Sequence, residues 1–276
     1  MSVEQLRAAT EYLAKSQPSR APFTRINASL GGVPGAWIEA ERSDRHSVIA
    51  YIHGGAFVAG SIDSHLPITA ALSTAAQCRV WAIDYRLAPE SPYPAARHDC
   101  QAALAALTAD PDIKHLAIVA DSAGSALALS VLMDARNERG SKVDAVVLIC
   151  PWADLSCTAA NDEGLEAGDP LLSQAFLKKM AGLYLAGHDP MDPSASPLYG
   201  DFADLPPLLI QTGTRDVLYA DAIALERAAL AADIDCILDV WPDMIHVWHA
   251  FGGLLPEARS ALDQVGEFLQ SVWDCS

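Results

Sequence analysis

Basic residues are scarce in this sequence. It contains 18 lysines and arginines against 35 aspartates and glutamates, so the formal net charge is −17 over 276 residues. The basic residues are scattered and never form a run. Nucleic acids and anionic membrane surfaces are bound through a basic face, which this composition does not supply. The charge balance therefore argues against both as partners.

Long apolar runs and paired cysteines are also missing. No stretch approaches the ~18 consecutive apolar residues that a membrane span needs. Glu4, Arg7 and Glu11 interrupt the first residues, so we expect no signal peptide. The six cysteines form no Cys-x-x-Cys pair, and Cys78 and Cys150 border apolar runs, which is typical of buried thiols in a reducing compartment. We expect a cytoplasmic protein with no membrane partner.

Hydrophobic residues make up 51% of the sequence, enough to bury a large core. Short apolar runs alternate with helical stretches, as in a parallel sheet covered by helices on both faces. We expect an α/β fold with an eight-stranded, mostly parallel sheet. The predicted strands are 24–30, 36–41, 47–52, 79–83, 115–120, 145–149, 207–211 and 236–240, and the main predicted helices are 66–76, 95–109, 122–139, 217–232 and 257–272.

The segment 154–205 breaks this rhythm. It is rich in aspartate, glycine, proline and serine, and it contains one predicted helix, 172–185, but no strand. Insertions of this kind between strands commonly form lids over a site. At the N-terminus, Ser2 and Gln5 form a capping-box pattern that opens a short helix, which Pro18 ends. We expect one domain over residues 1–276, with a helical cap built from about 1–20 and about 154–205.

A serine lies where the predicted strand 115–120 turns into a helix. The run Asp121-Ser122-Ala123-Gly124 would expose the Ser122 hydroxyl above the sheet edge, at a helix N-terminus, as a nucleophile elbow does. Small neighbours suit an elbow because strand and helix backbones lie close together there. Taken alone, the same string is more typical of an ordinary helix N-cap.

A glycine-rich run follows the predicted strand 47–52. In the run His53-Gly54-Gly55-Ala56-Phe57, backbone amides can converge on an anion. Such amides stabilise the oxyanion of a tetrahedral intermediate when they lie close to the nucleophile. A simple glycine turn is the alternative interpretation.

Two more polar residues follow predicted strands. Asp216 comes shortly after the strand 207–211, and His246 comes shortly after the strand 236–240. In open α/β sheets, catalytic groups gather at the carboxyl ends of the strands. The chain order Ser122, Asp216, His246 is the order of the α/β hydrolases and differs from that of the two unrelated serine-protease types. The four elements together predict a serine hydrolase.

With these motifs the chain resembles the bacterial hormone-sensitive-lipase-like (family IV) esterases, from about residue 32 to the C-terminus. The resemblance rests on a His-Gly-Gly-Gly motif, on a Gly-Asp-Ser-Ala-Gly-Gly elbow and on three further segments; the corresponding residues here are 53–57, 120–125, 84–96, 213–218 and 243–249. Ala56, Ala120 and Ser125 depart from the family pattern. The residues 32–38 and 246–251 are most similar to a branch with monoterpene-lactone hydrolases and small acetyl-ester hydrolases.

The resemblance implies a catalytic triad in which Ser122 is the nucleophile, His246 the base and Asp216 the acid that orients His246. Such a mechanism uses no cofactor. His246 and His249 are three residues apart, a spacing that suits a metal pair on a helix, but no cysteine or carboxylate cluster completes the set in the sequence. We expect neither a cofactor nor a metal ion.

The resemblance also implies an oxyanion hole formed by the backbone amides of Gly55, Ala56 and Ala123. His53 and Gly54 would support the loop. Ala56 still carries an amide, so its departure from glycine removes no donor. Its methyl group requires that this position avoid backbone angles that only glycine adopts.

The expected activity is hydrolysis of short-chain esters or small lactones through an acyl-enzyme. The expected partner is therefore a small-molecule ester or lactone, and a homodimer is the tendency of the family. Two other functions stay open. One is a catalytically silent ligand receptor on the same fold, although such receptors typically lose the histidine. The other is an amidase that uses the same triad.

Overall fold

The computed structural model describes residues 2–16, 22–135, 142–158 and 169–275. Its strands are β1 (Phe23–Leu30), β2 (Val33–Ala40), β3 (Asp44–Ile52), β4 (Cys78–Ile83), β5 (His115–Asp121), β6 (Ala145–Ile149), β7 (Leu208–Gly213) and β8 (Cys236–Trp241). They form one eight-stranded sheet in the order β1-β2-β4-β3-β5-β6-β7-β8. β2 pairs antiparallel with β1 and β4, and the other neighbours are parallel. The predicted mostly parallel eight-stranded sheet is confirmed.

Seven α-helices occur in the described ranges. They are α1 (Val3–Lys15), α2 (Ile62–Ala75), α3 (Ala95–Ala109), α4 (Gly124–Ala135), α5 (Gln174–Leu185), α6 (Tyr219–Ala231) and α7 (Pro256–Trp273). Two short 3-10 helices, Pro197–Tyr199 and Trp248–Phe251, lie between them. No helix in these parts of the chain is both long and apolar enough to cross a membrane.

The core is divided by the sheet into two apolar layers. Neighbouring residues of a strand point to opposite faces, so Val48, Ala50 and Ile52 join one layer while Ile49 and Tyr51 join the other. The first layer is completed by α3, α4 and α6, and the second by α2 and α7. Burial on both faces explains why the central strands are continuous apolar runs rather than alternating ones.

Among the helix starts, that of α2 differs most from its prediction, and the others lie within two residues of theirs. α2 begins at Ile62 instead of residue 66, because Ser61 and Ser64 cap it reciprocally. The Ser64 amide donates to the Ser61 hydroxyl oxygen, and the Ser61 amide donates to the Ser64 hydroxyl oxygen. Pro67 therefore lies inside the helix.

Some predicted residues lie outside the described ranges. They are residues 136–139 of the predicted fourth helix and residues 1, 17–20 and 159–168 of the predicted cap.

α7 and α2 approach each other closely at one glycine. A Cβ atom at Gly266 would lie 2.6 Å from the carbonyl carbon and oxygen of Ala75. By contrast, Gly182 in α5 has nothing within 4 Å of the corresponding position. The two helical glycines therefore differ in packing although both lie inside helices.

This contrast gives a matched pair of stability predictions. Gly266→Ala should lower the free energy of unfolding by about 1–3 kcal/mol, because the added methyl group forces the two helices apart. Gly182→Ala should raise it by about 0.5–1 kcal/mol, since alanine loses less backbone entropy in a helix. Urea titration followed by circular dichroism measures both. Equal effects of the two substitutions would contradict the packing described at Gly266.

Candidate functional site

Ser122 occupies a sharp turn between β5 and α4. Its φ of 51° is left-handed, which is uncommon for a non-glycine residue. Two hydrogen bonds hold the turn: the Ser122 amide donates to the Ile149 carbonyl oxygen over 2.8 Å, and the Trp152 amide donates to the Ser122 carbonyl oxygen over 3.0 Å. The neighbouring strand β6 thus fixes the strained conformation.

Glycines allow the backbone to pass close to this turn. A Cβ at Gly124 would lie 2.1 Å from the Ile52 carbonyl oxygen, and a Cβ at Gly54 would lie 2.3 Å from Oδ2 of Asp121. The loop after β3 and the start of α4 are therefore in backbone contact. Ala120 and Ser125, the two elbow departures, are both fully buried. Their side chains fit where the family pattern has glycine.

A chain of hydrogen bonds links Ser122 to His246 and Asp216. His246 Nε2 lies 2.9 Å from Ser122 Oγ, and His246 Nδ1 lies 3.0 Å from Asp216 Oδ1. The Leu218 amide donates to the same Asp216 oxygen over 2.9 Å. Asp216 is fully buried, and Ser122 and His246 are nearly so. Three residues that are far apart in the sequence thus meet at the carboxyl ends of β5, β7 and β8.

Asp216 and His246 form a buried pair in which each residue shifts the pKa of the other. Burial alone would raise the pKa of Asp216, but the His246 ring and the Leu218 amide bring it below its usual range. Burial alone would lower the pKa of His246, but the charge and hydrogen bond of Asp216 bring it above its usual 6.5. The arrangement can therefore stabilise a positive charge on the His246 ring.

The loop after β3 presents unpaired backbone amides beside Ser122. Among the described residues, no acceptor is paired with the amides of Gly55, Ala56 or Ala123. Gly55 has a φ of 107°, which favours glycine, and its Cβ would clash with the Ala59 carbonyl oxygen at 2.2 Å. Ala56 has a φ of 55°. This left-handed conformation favours glycine but is open to alanine at a cost of about 1–2 kcal/mol.

His53 anchors this loop and does not reach Ser122 through any hydrogen bond in the described structure. Its Nδ1 lies 2.7 Å from the Gly54 carbonyl oxygen, and its ring stacks on Tyr85 with 4.2 Å between centroids. The Tyr85 hydroxyl donates to the His53 carbonyl oxygen over 2.7 Å. Burial lowers the pKa of His53 to about 3, so the ring is neutral.

Asp121, next to Ser122, supports the same loop through hydrogen bonds. Its Oδ1 accepts hydrogen bonds from the Tyr51 hydroxyl over 2.7 Å and from the Gly54 amide over 2.9 Å. His65 Nε2 lies 3.5 Å from its other carboxylate oxygen. Burial alone would raise the pKa of Asp121, but His65 and the hydrogen bonds lower it to about 2. His65 belongs to none of the sequence motifs, because α2 supplies it and only the tertiary fold brings it to Asp121.

Cys150 is a second residue that the sequence analysis did not assign to the site. It directly follows β6, and its Sγ accepts a hydrogen bond from the Val247 amide over 3.2 Å. Burial raises the pKa of the thiol well above its ordinary value, so the thiol stays protonated and helps to lower the pKa of Asp216. Its place at the end of a strand was a usable signal, because the other site residues share that edge.

Cys150, Asp216 and His246 are also of metal-ligating types, with ligand atoms within 4.8 Å of one another. His246 Nδ1 and an Asp216 oxygen face each other in a hydrogen bond, and Cys150 Sγ accepts one. These atoms are therefore already used in the hydrogen-bonded chain. The spacing of His246 and His249 does not give a metal pair, because His249 Nε2 is bonded to Gln211 Oε1 at 2.9 Å.

A cavity of 190 Å³ opens above Ser122. Most of its lining is apolar, and none of the lining residues is a lysine or an arginine. The residues contributed by α1 are Leu6, Thr10, Leu13 and Ala14; those near α5 are Leu171, Leu172, Phe176 and Leu177; the loops and α2 supply Gly55, Ala56, Ser64, His65, Pro67, Ile68, Asp121, His246, Val247, Ala250 and Phe251. The cavity suits a small uncharged molecule.

The N-terminal helix that lines this cavity is held by polar contacts. None of the residues of α1 is fully buried. Arg7 donates to the carbonyl oxygens of Val58 at 2.7 Å and Ala88 at 3.0 Å, and it pairs with both carboxylate oxygens of Glu90. These contacts fix the helix over the loop after β3, so that its apolar residues form a wall of the cavity.

Comparison with known proteins places this geometry in a family. Residues 49–250 match a family described as an alpha/beta hydrolase fold. An acetyl-hydrolase from Streptomyces hygroscopicus is 40% identical over 270 residues, covering 93% of this chain and 90% of that protein. A carboxylesterase from Mycobacterium tuberculosis is 32% identical over 94% of this chain and 86% of its own length.

Solved structures agree with these relatives. The crystal structure of an esterase from the bacterial hormone-sensitive lipase family has a TM-score of 0.92 and 37% identity, over 98% of this chain and 92% of that chain. An esterase/lipase from an uncultured bacterium has a TM-score of 0.93 and 37% identity, over 99% and 92% of the two chains. This chain belongs to the α/β-hydrolase fold family, in its group of bacterial hormone-sensitive-lipase-type esterases.

The two neighbouring histidines should respond differently to substitution. His246→Ala removes the ring that contacts Ser122 and should lower kcat by ~10⁴- to 10⁶-fold on an aryl ester. His249→Ala breaks a contact with Gln211 outside the hydrogen-bonded chain and should cost only ~10- to 100-fold. Steady-state kinetics with circular dichroism as a folding control measures both. If the two variants exchanged roles, the assignment of this loop would be wrong.

The pH dependence of activity should follow His246. The ring must be unprotonated to accept the Ser122 proton, and its pKa is raised, so kcat/KM should rise with pH and reach half its plateau above pH 6.5. Asp216→Asn removes the charge that raises this pKa, so its profile should move to lower pH while kcat falls by ~10⁴-fold. A wild-type midpoint clearly below 6.5 would contradict the electrostatics described here.

Proposed function

We propose that this enzyme is a serine carboxylesterase that hydrolyses short-chain esters or small lactones through an acyl-enzyme. The observation that carries the proposal is the hydrogen-bonded chain from Ser122 through His246 to Asp216, at the floor of an apolar cavity. The esterase and acetyl-hydrolase names of its relatives support the same reaction class.

In the acylation step, His246 Nε2 takes the hydroxyl proton as Ser122 Oγ attacks the ester carbonyl carbon. The new C–O bond places negative charge on the carbonyl oxygen. The free amides of Gly55, Ala56 and Ala123 are suited to bind that oxyanion, because they have no other acceptor among the described residues. The C–O bond to the alcohol then breaks, and His246 returns the proton to the departing oxygen.

In the deacylation step, water replaces the alcohol. His246 takes a proton from the water as its oxygen attacks the acyl carbon, and the bond to Ser122 breaks. Ser122 recovers its proton, and the carboxylic acid leaves. Asp216 keeps the ring in the tautomer that presents Nε2 to Ser122, since it holds Nδ1 at 3.0 Å.

The cavity supports small, uncharged substrates. At 190 Å³ and with a largely apolar lining, it has room for a short acyl or alcohol group. No lysine or arginine among the lining residues offers a partner to an anionic substrate. We further propose that α1 and the segment around α5 act as the cap of one hydrolase domain, because both contribute walls of this cavity.

Two expectations from the sequence are kept as part of the proposal. A cytoplasmic location is supported by six free cysteines, of which four are buried. The homodimer stays a prediction, with β8 available at one edge of the sheet.

The alternatives differ in what they predict for turnover. A silent receptor has no use for the intact contact between His246 and Ser122, so the 2.9 Å distance favours an enzyme. An amidase would use the same residues, and the structure offers no observation that favours it over an esterase.

A panel of p-nitrophenyl esters tests the proposal. We expect kcat/KM to peak at short acyl chains and to fall for long ones, because methylenes beyond the cavity no longer gain the ~0.8 kcal/mol of burial that each would contribute. Small lactones and matched pairs of ester and anilide extend the panel, and the ester of each pair should react faster. Ser122→Ala is the control for background hydrolysis, and a chelator should leave the rate unchanged.

Three results would count against it. Activity that climbs steadily to long-chain triglyceride emulsions would refute the small cavity. Preferential cleavage of the anilides would replace the esterase by an amidase. Ligand binding without turnover of any ester or lactone would favour the receptor.

A further inference from the structure

The Asp169 carboxylate joins two separate parts of the molecule. Its Oδ1 accepts hydrogen bonds from the amides of Leu171 at 2.8 Å and Leu172 at 3.1 Å, just ahead of α5. Its Oδ2 accepts a hydrogen bond from the Val217 amide at 3.1 Å, in the turn after β7. One side chain therefore ties the segment before α5 to the loop that carries Asp216.

The contact on the β7 side is next to the catalytic acid. Val217 and Leu218 follow Asp216 directly, and their amides donate to two different carboxylates, Asp169 and Asp216. The turn is thus held between the two acids. A shift of Asp169 would move the Val217 amide, and with it the neighbouring amide that orients Asp216.

The contact on the other side holds a wall of the cavity. Leu171 and Leu172 both line it, yet Leu171 is 54% exposed, so burial contributes little to its position. The two hydrogen bonds to Asp169, together with the packing of Leu172 against the core, hold this corner of backbone. The loop that carries Asp216 and the Leu171–Leu172 wall of the cavity are therefore held by the same carboxylate.

The charge of Asp169 also affects the pKa of His246. Burial lowers the pKa of His246, and the charges of Asp216, Asp169 and Asp121 raise it, with Asp169 contributing more than Asp121. These carboxylates come from the turn after β7, the segment before α5 and the end of β5. The other titratable groups beside the ring are the protonated Cys150 thiol after β6 and the neutral His249.

We propose that Asp169 is a positioning residue for the reaction: its hydrogen bonds couple the loop that carries Asp216 to the Leu171–Leu172 wall of the cavity, and they hold its negative charge at that loop. This inference rests on the proposed function for its role in turnover. The test of the charge effect requires only that Ser122 reacts with a probe, and it does not require that the protein hydrolyses an ester. Removing the charge and removing the hydrogen bonds should therefore have separable effects.

The charge effect is tested by the rate at which a fluorophosphonate labels Ser122 between pH 5 and 9. In Asp169→Asn and Asp169→Ala the midpoint should move down by about 0.5 pH unit, the size expected for one partly screened charge. Asp169→Glu retains the charge and should stay closer to the wild-type midpoint. Asp189→Asn is the matched control: Asp189 also accepts from a backbone amide two residues ahead, but that residue, Met191, does not line the cavity, whereas Leu171 does.

The hydrogen-bond effect is tested by KM on a butyrate ester. Asp169→Ala loses every acceptor and should raise KM by about five- to tenfold, whereas Asp169→Asn keeps one acceptor oxygen and should raise it less. Thermal unfolding monitors the fold of each variant. Equal KM values for Asp169→Ala, Asp169→Asn and wild type would refute the coupling.

An unchanged midpoint in both Asp169→Asn and Asp169→Ala would overturn the proposed charge effect, even if the rates fell. A wild-type protein that reacts with the probe but hydrolyses no ester would refute the proposed function and leave the charge test valid. A wild-type protein that does not react with the probe would overturn both proposals.

Discussion

Ser122 adopts a left-handed backbone conformation, and the site is arranged around the contacts that keep it there. Such a conformation costs about 1–3 kcal/mol and persists only where the surroundings over-determine it. Here the amide of Ser122 is bonded to β6, and Gly124 lies against the end of β3. These strands flank β5 in the sheet, so the turn is held by contacts on both sides. The Ser122 hydroxyl is thereby directed towards His246. The same contacts bring the glycine-rich loop beside the serine.

Two buried carboxylates next to this turn have different partners. Asp121 is compensated by Tyr51, the Gly54 amide and His65, and Asp216 by His246 and the Leu218 amide. A buried charge that loses its partner costs several kcal/mol, so each acid constrains the groups around it. Asp121 thereby fixes the loop that supplies the free amides, and Asp216 fixes the ring that faces Ser122. The contacts that compensate the two buried charges are therefore the same contacts that position the free amides and the His246 ring.

Much of this architecture could be predicted from the sequence, because the signals are local. Apolar runs marked the strands, and Ser122, Asp216 and His246 each follow one of them, so parallel topology was enough to predict that they meet. The start of α2 departs from its prediction because reciprocal capping by Ser61 and Ser64 begins the helix at Ile62. The contacts of His65 with Asp121 and of Asp169 with Val217 could not be predicted, since these partners lie far apart in the sequence and are brought together only by the packing of α2 and of the segment before α5.

We propose that Ser122 opens the ester with formation of an acyl-enzyme. Rapid quenching of the enzyme with a p-nitrophenyl ester, followed by mass spectrometry of the intact protein and its peptides, would trap this intermediate. We expect one added acyl group on the peptide that contains Ser122, and none in Ser122→Ala. An acyl group on another residue, or undiminished turnover by Ser122→Ala, would contradict it.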